Sequence, residues 1–497
     1  MKETIVIHSS DNVAVALRSF EAGEPFSIGQ EKINLEQEVP RGHKIATRNI
    51  QKGEHIIKYG YPIGHATEDI AKGTVVHTHN VKTNLQNIIN YHYDKKDISL
   101  NYPQRNLTFK GYRRSNGEVG IRNELWIIPS VGCVNGIADM IIREFEQRVG
   151  SIAPFESTLV LKHNFGCSQL GDDHENTRTI LLDAVNHPNA AAVLVLGLGC
   201  ENNTIEQMKR ELGDYDTSRV KFVVSQQVDD EVEASVEALV ALHEAVRNDR
   251  REDIPISELR IGLKCGGSDG LSGITANPLL GRFSDFLVSQ GGTTVLTEVP
   301  EMFGAETILM NRAQDEGTFE KIVSLINDFK QYFIDYNQPI YENPSPGNKA
   351  GGITTLEDKS LGCTQKAGSA EIVDVLKYGE RLKKRGLNLL SAPGNDLVAC
   401  TALASAGCQL VLFTTGRGTP FGSFVPTMKI STNSAIYEQK KHWIDFNAGQ
   451  ILEDDIDEDA VLEEFIHYII AVASGEQLNH ERMNFKEMAI FKTGVTL

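Results

Sequence analysis

Five of the seven cysteines lie beside glycine or one residue away from it, at the end of an apolar segment. They are Cys133 in SVGCVNG, Cys167 in HNFGCSQLGDDH, Cys200 in LVLGLGCEN, Cys265 in GLKCGGSDG and Cys363 in LGCTQKAG. Glycine lets the backbone approach a ligand closely, and a thiolate can act as a nucleophile or a metal ligand. The pattern predicts a polar site built from these loops, whereas Cys400 and Cys408, in an Ala-rich segment, are expected to fill the core.

Histidines near the amino terminus form a second group of candidate ligands. They are His43 in GHK and the pair His77 and His79 in VHTHN. If residues 75–80 form one strand, the two imidazoles of the pair lie on the same face with their Cα atoms about 7 Å apart, so that they could share a divalent metal. For an isolated pair, exposure at a strand end is the simpler interpretation.

A third group favours the metal. The segment HNFGC, residues 163–167, is followed closely by Asp172, Asp173 and His174. Histidine and carboxylate ligands with open coordination positions suit iron(II) or manganese, and no spacing in the chain matches a zinc finger or ribbon.

Composition excludes several classes of protein. The chain has 497 residues, enough for two or three domains, and a formal charge of −18, with no basic stripe for binding nucleic acid. No apolar run is long enough to span a membrane. The first residues, MKETIVIHSS, do not resemble a signal peptide and the cysteine count is odd, so we expect no disulfides and a cytoplasmic location.

The elements that must position these groups change in type along the chain. Residues 1–85 contain short β-prone stretches separated by Gly, Pro and Asn, which predicts a small β-rich module. Residues 86–110, with YHYDKKDISLNYPQRN, are predicted to be a linker, which could be mobile.

From residue 111 onward, apolar strands alternate with helical segments. Strand candidates are LWIIPSVG, TLVLKHNFG, AAVLVLGLG, VKFVVS, LRIGLKCGG and TTVLTEVP. The pattern predicts an α/β protein with a large parallel body of two Rossmann-like lobes, divided into a central domain, 111–385, and a carboxyl-terminal domain, 386–497. In such sheets ligands bind beyond the carboxyl ends of the strands, where the glycine-cysteine loops lie.

Longer segments carry a resemblance to a known family. They include YGYPIG, VHTHN, RNELWIIPSVGCVNGIA, GCSQLGDDH, LKCGGSDGLSGITANP, NPSPGNKAGGITTLEDKSLGCTQKAG, SAPGND and FTTGRGTPFG. Together they cover essentially the whole chain, which resembles the altronate dehydratases, relatives of galactarate dehydratase. The resemblance implies a β-clip (SAF-like) amino-terminal module and a sugar-acid dehydratase that forms 2-keto-3-deoxy-D-gluconate from D-altronate in galacturonate breakdown, activated by iron(II) or manganese.

The chemistry of dehydration suggests roles for particular residues. A proton α to a carboxylate is weakly acidic, so a Lewis acid must stabilise the ene-diolate, and a base and an acid must move protons. We assign the metal to His43, His77, His79 and Cys167. We assign proton transfer to Lys44, His163 or Lys366. Substrate binding is assigned to Ser268, Asp269, Asn277, Glu298, Asn348, Lys349 and Arg417.

Alternatives stay open at this point. Galactarate or a related sugar acid could be the substrate, although the VHTHN segment favours altronate. Three of the five glycine-flanked cysteines could instead hold an iron–sulfur cluster. The chain could also be a sensor that binds a sugar acid without catalysis, but no DNA-reading or coiled-coil segment is present. The expected partner is a small-molecule sugar acid, and a homo-oligomer is possible.

Overall fold

The computed structural model describes residues 3–28 and 31–497. The amino-terminal module consists of short strands joined by tight turns, as the sequence predicts. Its strands are β1 Thr4–Ile5, β2 Val13–Ala16, β3 Pro25–Ile28, β4 Glu31–Asn34, β5 Lys44–Ala46, β6 His55–Lys58, β7 Tyr61–Ala66, β8 Val75–Val76 and β9 Val81–Lys82. They form a four-stranded sheet (β1-β2-β5-β8), a three-stranded sheet (β6-β7-β9) and a hairpin of β3 and β4.

Residues 86–107, which follow the module, contain no regular secondary structure but are packed against the body. The hydroxyl group of Tyr91 donates to Glu306 at 2.6 Å, and that of Tyr93 donates to the carbonyl of Ala313 at 2.6 Å. The side chains of Leu100 and Tyr102 lie against the largest apolar core. The predicted linker is thus a packed strap in this structure, because its tyrosines are partly buried against the body.

The first lobe of the body contains a four-stranded parallel sheet in the order β13-β12-β14-β15. Its strands are β12 Glu124–Pro129, β13 Ser157–Val160, β14 Ala190–Gly197 and β15 Val220–Val224, and its helices are α1 Asn135–Val149, α2 Gly171–Val185, α3 Ile205–Leu212 and α4 Glu231–Val246. A small antiparallel sheet, formed by β10 Thr108–Arg113, β11 Val119–Gly120 and β16 Glu252–Pro255, adjoins it.

The second lobe contains a seven-stranded parallel sheet in the order β19-β20-β18-β17-β21-β22-β23. The strands are β17 Arg260–Cys265, β18 Thr293–Leu296, β19 Ile372–Leu376, β20 Gly386–Leu390, β21 Leu410–Thr415, β22 Thr427–Ser431 and β23 Phe446–Asn447. The helices are α5 Ala276–Ser289, α6 Glu306–Met310, α7 Glu316–Asp335, α8 Pro346–Ala350, α9 Leu356–Cys363, α10 Asp396–Ser405, α11 Ser434–Gln439, α12 Glu458–Ala473 and α13 Asn479–Arg482.

Two lobes with parallel sheets confirm the predicted α/β body, but the boundary between them differs from the prediction. The predicted domain boundary, between residues 385 and 386, falls between β19 and β20, and these two strands pair with each other in one sheet. Hydrogen-bonded neighbours in a sheet belong to one folding unit, so the second lobe begins at β17. No helix formed by the described residues combines the length and the apolar character that crossing a membrane requires.

Candidate active site between the module and the body

Two histidines of the module meet because of the register of β5 and β8. These strands are antiparallel and pair Lys44 with Val76, so that His43 and His77 lie opposite each other one step beyond the pair. Their ring centroids are 5.1 Å apart. His43 is 8% exposed, and its Nδ1 is buried without a hydrogen-bond partner.

The strand predicted over residues 75–80 ends earlier than expected. β8 stops at Val76, and residues 77–80 form a turn in which the backbone N–H of Asn80 donates to the carbonyl of His77 at 3.0 Å. His77 is therefore half-buried beside His43, whereas His79 is exposed. His79 is close enough to lower the pKa of His77 by charge repulsion.

Burial and neighbouring positive charge keep both paired imidazoles neutral. Burial, followed by the charges of Lys44 and His43, lowers the pKa of His77 to about 4. Burial and Lys44 also lower the pKa of His43. A neutral imidazole is the form that binds a metal. The Nδ1 of His77 is 3.1 Å from the hydroxyl of Thr354, a residue of the body.

Two lysines of the module bind one carboxylate of the body. The Nζ atoms of Lys44 and Lys58 lie 2.8 and 2.9 Å from Asp358, in the first turn of α9, and all three side chains are 2% exposed or less. Burial alone would raise the pKa of Asp358, but the two ammonium groups hold it well below its usual range. Burial lowers the pKa of Lys44 to about 8, although Asp358 opposes the change.

Glycines let the backbone of the module contact the backbone of the body directly. A Cβ atom on Gly270 would lie 2.0 Å from the carbonyl oxygen of Gly42, and one on Gly352 would lie 2.3 Å from the same oxygen. Gly42 and Gly352 have φ angles of +85° and +99°, which disfavour other residues. The loop after β17 and the loop after α8 therefore enclose Gly42, directly before His43.

Charged side chains of the module and the body face the same region. Asp269, in the loop after β17, accepts hydrogen bonds from the hydroxyl of Thr432. Burial raises the pKa of Asp269, and the positive charge of Arg41 opposes this rise in part. Arg417 is exposed, and its guanidinium donates to the carbonyl of Gly347 at 3.2 Å. Lys349, on α8, is half-exposed. The surroundings of the paired histidines thus include the cationic groups that a carboxylate substrate needs.

The other residues predicted to bind substrate are buried and have partners within the protein. Asn348 caps α8 through Ser345, and its amide donates to the carbonyl of Ser268 at 2.9 Å. Asn277 bonds the carbonyl of Gly362 and the hydroxyl of Thr414. Contacts of this kind hold loops in place, so these side chains stabilise the loops of the site and leave substrate binding to other residues.

A cluster of buried charges lies at the carboxyl ends of β17 and β18. The thiols of Cys265 and Cys363 are 3.4 Å apart, and both contact a carboxylate oxygen of Glu301. Lys366 lies 2.9 Å from the sulfur of Cys265 and 3.3 Å from Glu298. A small cavity lined by Asp269, Asp358, Lys359 and Cys363, among others, connects this cluster to the module.

Ammonium groups make the cluster a poor site for a cation. The ligand atoms of Cys265, Glu301 and Cys363 all lie within 4.8 Å of one another. Among the described residues, no other three His, Cys, Asp or Glu side chains lie so close together. Lys359, however, is 2.8 Å from Glu301. Burial would raise the pKa of Glu301, but Lys359 and its lysine neighbours hold it low. Burial alone would lower the pKa of Lys366, but Cys265 and Glu298 raise it above its usual range.

The remaining predicted residues lie at the first lobe. Cys167 follows β13, and its sulfur accepts a hydrogen bond from the hydroxyl of Ser168 at 3.8 Å. The ring of His163 is 4% exposed, with Nε2 2.8 Å from the carbonyl of Pro129 and Nδ1 accepting from the backbone of Phe165. The five glycine-flanked cysteines do not share one cleft as expected: two are buried in the second lobe, and three are exposed in the first.

Sequence reasoning missed several residues of this site. Asp358, Lys58 and Lys359 were not singled out, although the segment TTLEDK places two charges in the first turn of a helix. Arg41, two residues before His43, was also missed. Local sequence gives no sign that the lysines of the module would need a carboxylate about 300 residues away.

Three family models match successive parts of the chain. The SAF domain of altronate/galactarate dehydratase matches residues 2–84, the second domain of D-galactarate dehydratase/altronate hydrolase matches 111–247, and the carboxyl-terminal domain of D-galactarate/altronate dehydratase matches 256–496. The boundary between the second and third matches, at residues 247–256, lies between the sheets of the two lobes.

Curated relatives match the chain over nearly its full length. Altronate dehydratase of Bacillus subtilis (strain 168) is 64% identical over 497 residues, 100% of both chains. Altronate dehydratase of Escherichia coli (strain K12) is 59% identical over 495 residues, 99% of both chains. Galactarate dehydratase (L-threo-forming) of E. coli (strain K12) is 32% identical over 501 residues, 95% of this chain and 93% of the relative. The chain therefore belongs to the D-galactarate/altronate dehydratase family of hydro-lyases.

Proposed function

We propose that the chain removes water from D-altronate to give 2-keto-3-deoxy-D-gluconate. The observation that carries this proposal is the placement of paired neutral histidines and cationic side chains at one junction, in a chain 64% and 59% identical to two altronate dehydratases. The weaker 32% identity to a galactarate dehydratase makes galactarate the second candidate substrate. The sugar acid would be met in the cytoplasm, and a homo-oligomer stays a prediction.

The reaction is a β-elimination. The C2–H bond breaks, the C3–O bond breaks with release of the hydroxyl as water, and the resulting enol becomes the 2-keto acid when C3 gains a proton. The C2 proton is hard to remove because the neighbouring carboxylate is already negative. The site must therefore neutralise that carboxylate and accept a proton.

The module offers ligands for the expected iron(II) or manganese. The buried Nδ1 of His43 lacks a partner, and the ring of His77 lies beside it, with His79 on the adjoining turn. Neutral imidazoles fit this donor set, whereas Cys167 belongs to another lobe and is left out. A bound divalent ion would supply Lewis-acid stabilisation of the substrate carboxylate.

Side chains around the histidines orient the substrate. Arg41, Lys349 and Arg417 supply positive charge for the carboxylate and hydrogen-bond donors for the polyol. Of the three residues predicted to move protons, Lys44 is the one beside the histidines, and a buried lysine with a pKa of about 8 gives up its proton more readily than an exposed one. We assign removal of the C2 proton to Lys44 in its neutral form, which requires its Nζ to give up the ion pair with Asp358.

The test is anaerobic conversion of D-altronate, with galactarate in parallel, by protein loaded with iron(II) and by protein treated with a chelator. We expect a 2-keto-3-deoxy acid from altronate with the loaded protein, and at least a 10-fold loss after chelation. Product from galactarate alone would contradict the substrate assignment, and full activity after chelation would contradict the metal.

His77→Ala tests where the metal binds. This variant should lose bound iron(II) or manganese together with turnover, because it removes one of the two paired rings. His55→Ala is the matched control, since His55 is an exposed histidine of the same module. Equal metal content in the two variants would place the metal elsewhere.

A further inference from the structure

Three exposed cysteines lie at one edge of the first lobe, outside the candidate active site. Strand β12 lies between β13 and β14 and is parallel to both, so the carboxyl ends of the three strands share an edge. Cys133, Cys167 and Cys200 follow these strands in turn, and each precedes the helix that leads away from its loop. Ligands of parallel α/β sheets bind at this edge.

The three loops are tied together beside the cysteines. The backbone N–H of Gly132 donates to the carbonyl of Phe165 at 2.9 Å, and that of Asn203 donates to the carbonyl of Gly166 at 3.0 Å. A Cβ atom on Gly166 would lie 2.1 Å from the carbonyl oxygen of Ser130. Glycine is thus required for the contact, and the loops hold one another in position.

Polar groups in these loops remain without protein partners. Gln169 is 3% exposed, and its Nε2, a donor, has no hydrogen-bond partner. Asn203 is fully buried with its Oδ1 unpartnered, but that oxygen is an acceptor and could not bond to sulfide. Burying such atoms is costly unless something else binds there. Donors also reach the sulfurs: the amide of Gln226 donates to Cys200 at 3.7 Å, and the hydroxyl of Ser168 donates to Cys167 at 3.8 Å.

Each of the three loops leads into a helix. The amino-terminal ends of α1, α2 and α3 follow the three cysteines, and the positive end of a helix stabilises nearby anions. The neighbouring carboxylate of Glu201 is held by Ser130 and by the backbone of Leu198, so its charge is already satisfied. Cys265, by contrast, lies 2.9 Å from the ammonium group of Lys366.

Spacing discriminates between one metal ion and a cluster. Thiolates around a single ion lie about 4 Å from one another, given metal–sulfur bonds of about 2.3 Å. Among the described residues, the sulfurs of Cys133, Cys167 and Cys200 do not all lie within 4.8 Å of one another. A cluster bonds each cysteine to a different iron and so suits wider spacing.

We propose that Cys133, Cys167 and Cys200 hold a four-iron, four-sulfide cluster, with the fourth iron free of a cysteine ligand. Each thiol loses its proton as its sulfur bonds iron. The cluster assembles from two iron(II), two iron(III) and four sulfide ions supplied by solution or by a carrier, which together give a core of charge 2+, so no group of the protein is oxidised or reduced. This inference goes beyond the proposed reaction, because the histidine site and the thiol site lie on different parts of the fold.

The test is anaerobic reconstitution of the full chain with equal amounts of iron(II) and iron(III), and with sulfide, followed by desalting and measurement of iron, acid-labile sulfide and absorbance near 400 nm. We expect about four sulfides per chain. Cys133→Ser, Cys167→Ser and Cys200→Ser should each lower labile sulfide at least 3-fold, whereas Cys400→Ala, a core cysteine, should keep it. His77→Ala should also keep its labile sulfide. Failure of the proposed histidine metal site can therefore be distinguished from failure of the cluster proposal.

A second measurement avoids any substitution. In the reconstituted protein, the three cysteines should resist alkylation by iodoacetamide and become reactive once the cluster is removed. Absence of labile sulfide in the unmutated protein would overturn the proposal. So would equal sulfide in the triple serine variant, or a single zinc ion bound by the three thiols in place of a cluster.

Discussion

At the scale of single residues, Asp358 shows how charge holds the module on the body. Its carboxylate is the counter-ion of Lys44 and Lys58, and none of these side chains reaches solvent. Removing one member of a buried ion pair leaves an uncompensated charge, which costs far more than the loss of an exposed pair. In this triad two charges would be left.

Asp358→Asn should therefore destabilise the protein by about 3–5 kcal/mol or more, measured by urea unfolding. The control is Asp253→Asn, because the pair of Asp253 and Lys110 is more than half exposed and should be worth less than about 1 kcal/mol. Equal effects of the two variants would show that the triad is not a strong contact.

Residue types were enough to single out His77, because it forms a pair with His79 that suggests a metal, and His43 and Lys44 of the GHK segment, which suit metal binding and proton transfer. The sequence could not show that Lys44 pairs with Asp358, or that His163 has both ring nitrogens bonded to backbone. Those facts depend on contacts between parts of the chain that are far apart in sequence.

At the scale of elements, the site depends on the loops around Gly42. The loop after β17 touches Gly42 through Gly270, where no Cβ atom fits. Gly270→Ala should push the loop away from the module and lower activity at least 10-fold, with faster proteolysis near the strap. Gly136→Ala is the control, because a Cβ atom there meets nothing within 4 Å. Unchanged activity and proteolysis in Gly270→Ala would contradict the close contact.

The sequence predicted the presence of strands well, but it predicted the residues at which they end less well. Apolar runs such as AAVLVLGLG gave β14 correctly, since a buried parallel strand has a clear composition. The strand expected over residues 75–80 gives way to a turn at 77–80, because the side chain of Asn80 accepts a hydrogen bond from the backbone N–H of His77 and donates one to the carbonyl of Val75. Short polar side chains often make such local bonds, and the alternation rule does not foresee them.

At the scale of the whole molecule, two buried histidines set a limit on acid stability. Burial lowers the pKa of both His187 and His480 to about 3. In the unfolded chain they would take up protons near pH 6.5. Protons therefore favour the unfolded state as pH falls below 6.5, and each histidine should cost about 1.4 kcal/mol per pH unit until its folded pKa is reached.

The melting temperature should accordingly fall between pH 7.5 and 5.5, before most carboxylates titrate. His480→Gln removes one of the two groups, while an amide can still accept from the backbone of Thr427, as Nε2 of the ring does at 2.8 Å. Its melting temperature should change less over the same pH range. An identical pH dependence in variant and parent would exclude His480 as a source.

The ion triad between the module and α9 also has a consequence for the order of assembly. Lys44 and Lys58 precede Asp358 by 314 and 300 residues. At a synthesis rate of about 5–20 residues per second, the two lysines exist for roughly 15–60 s before their counter-ion leaves the ribosome. Until then, water is the best partner for their ammonium groups. The module therefore reaches its final position late, after the second lobe has formed.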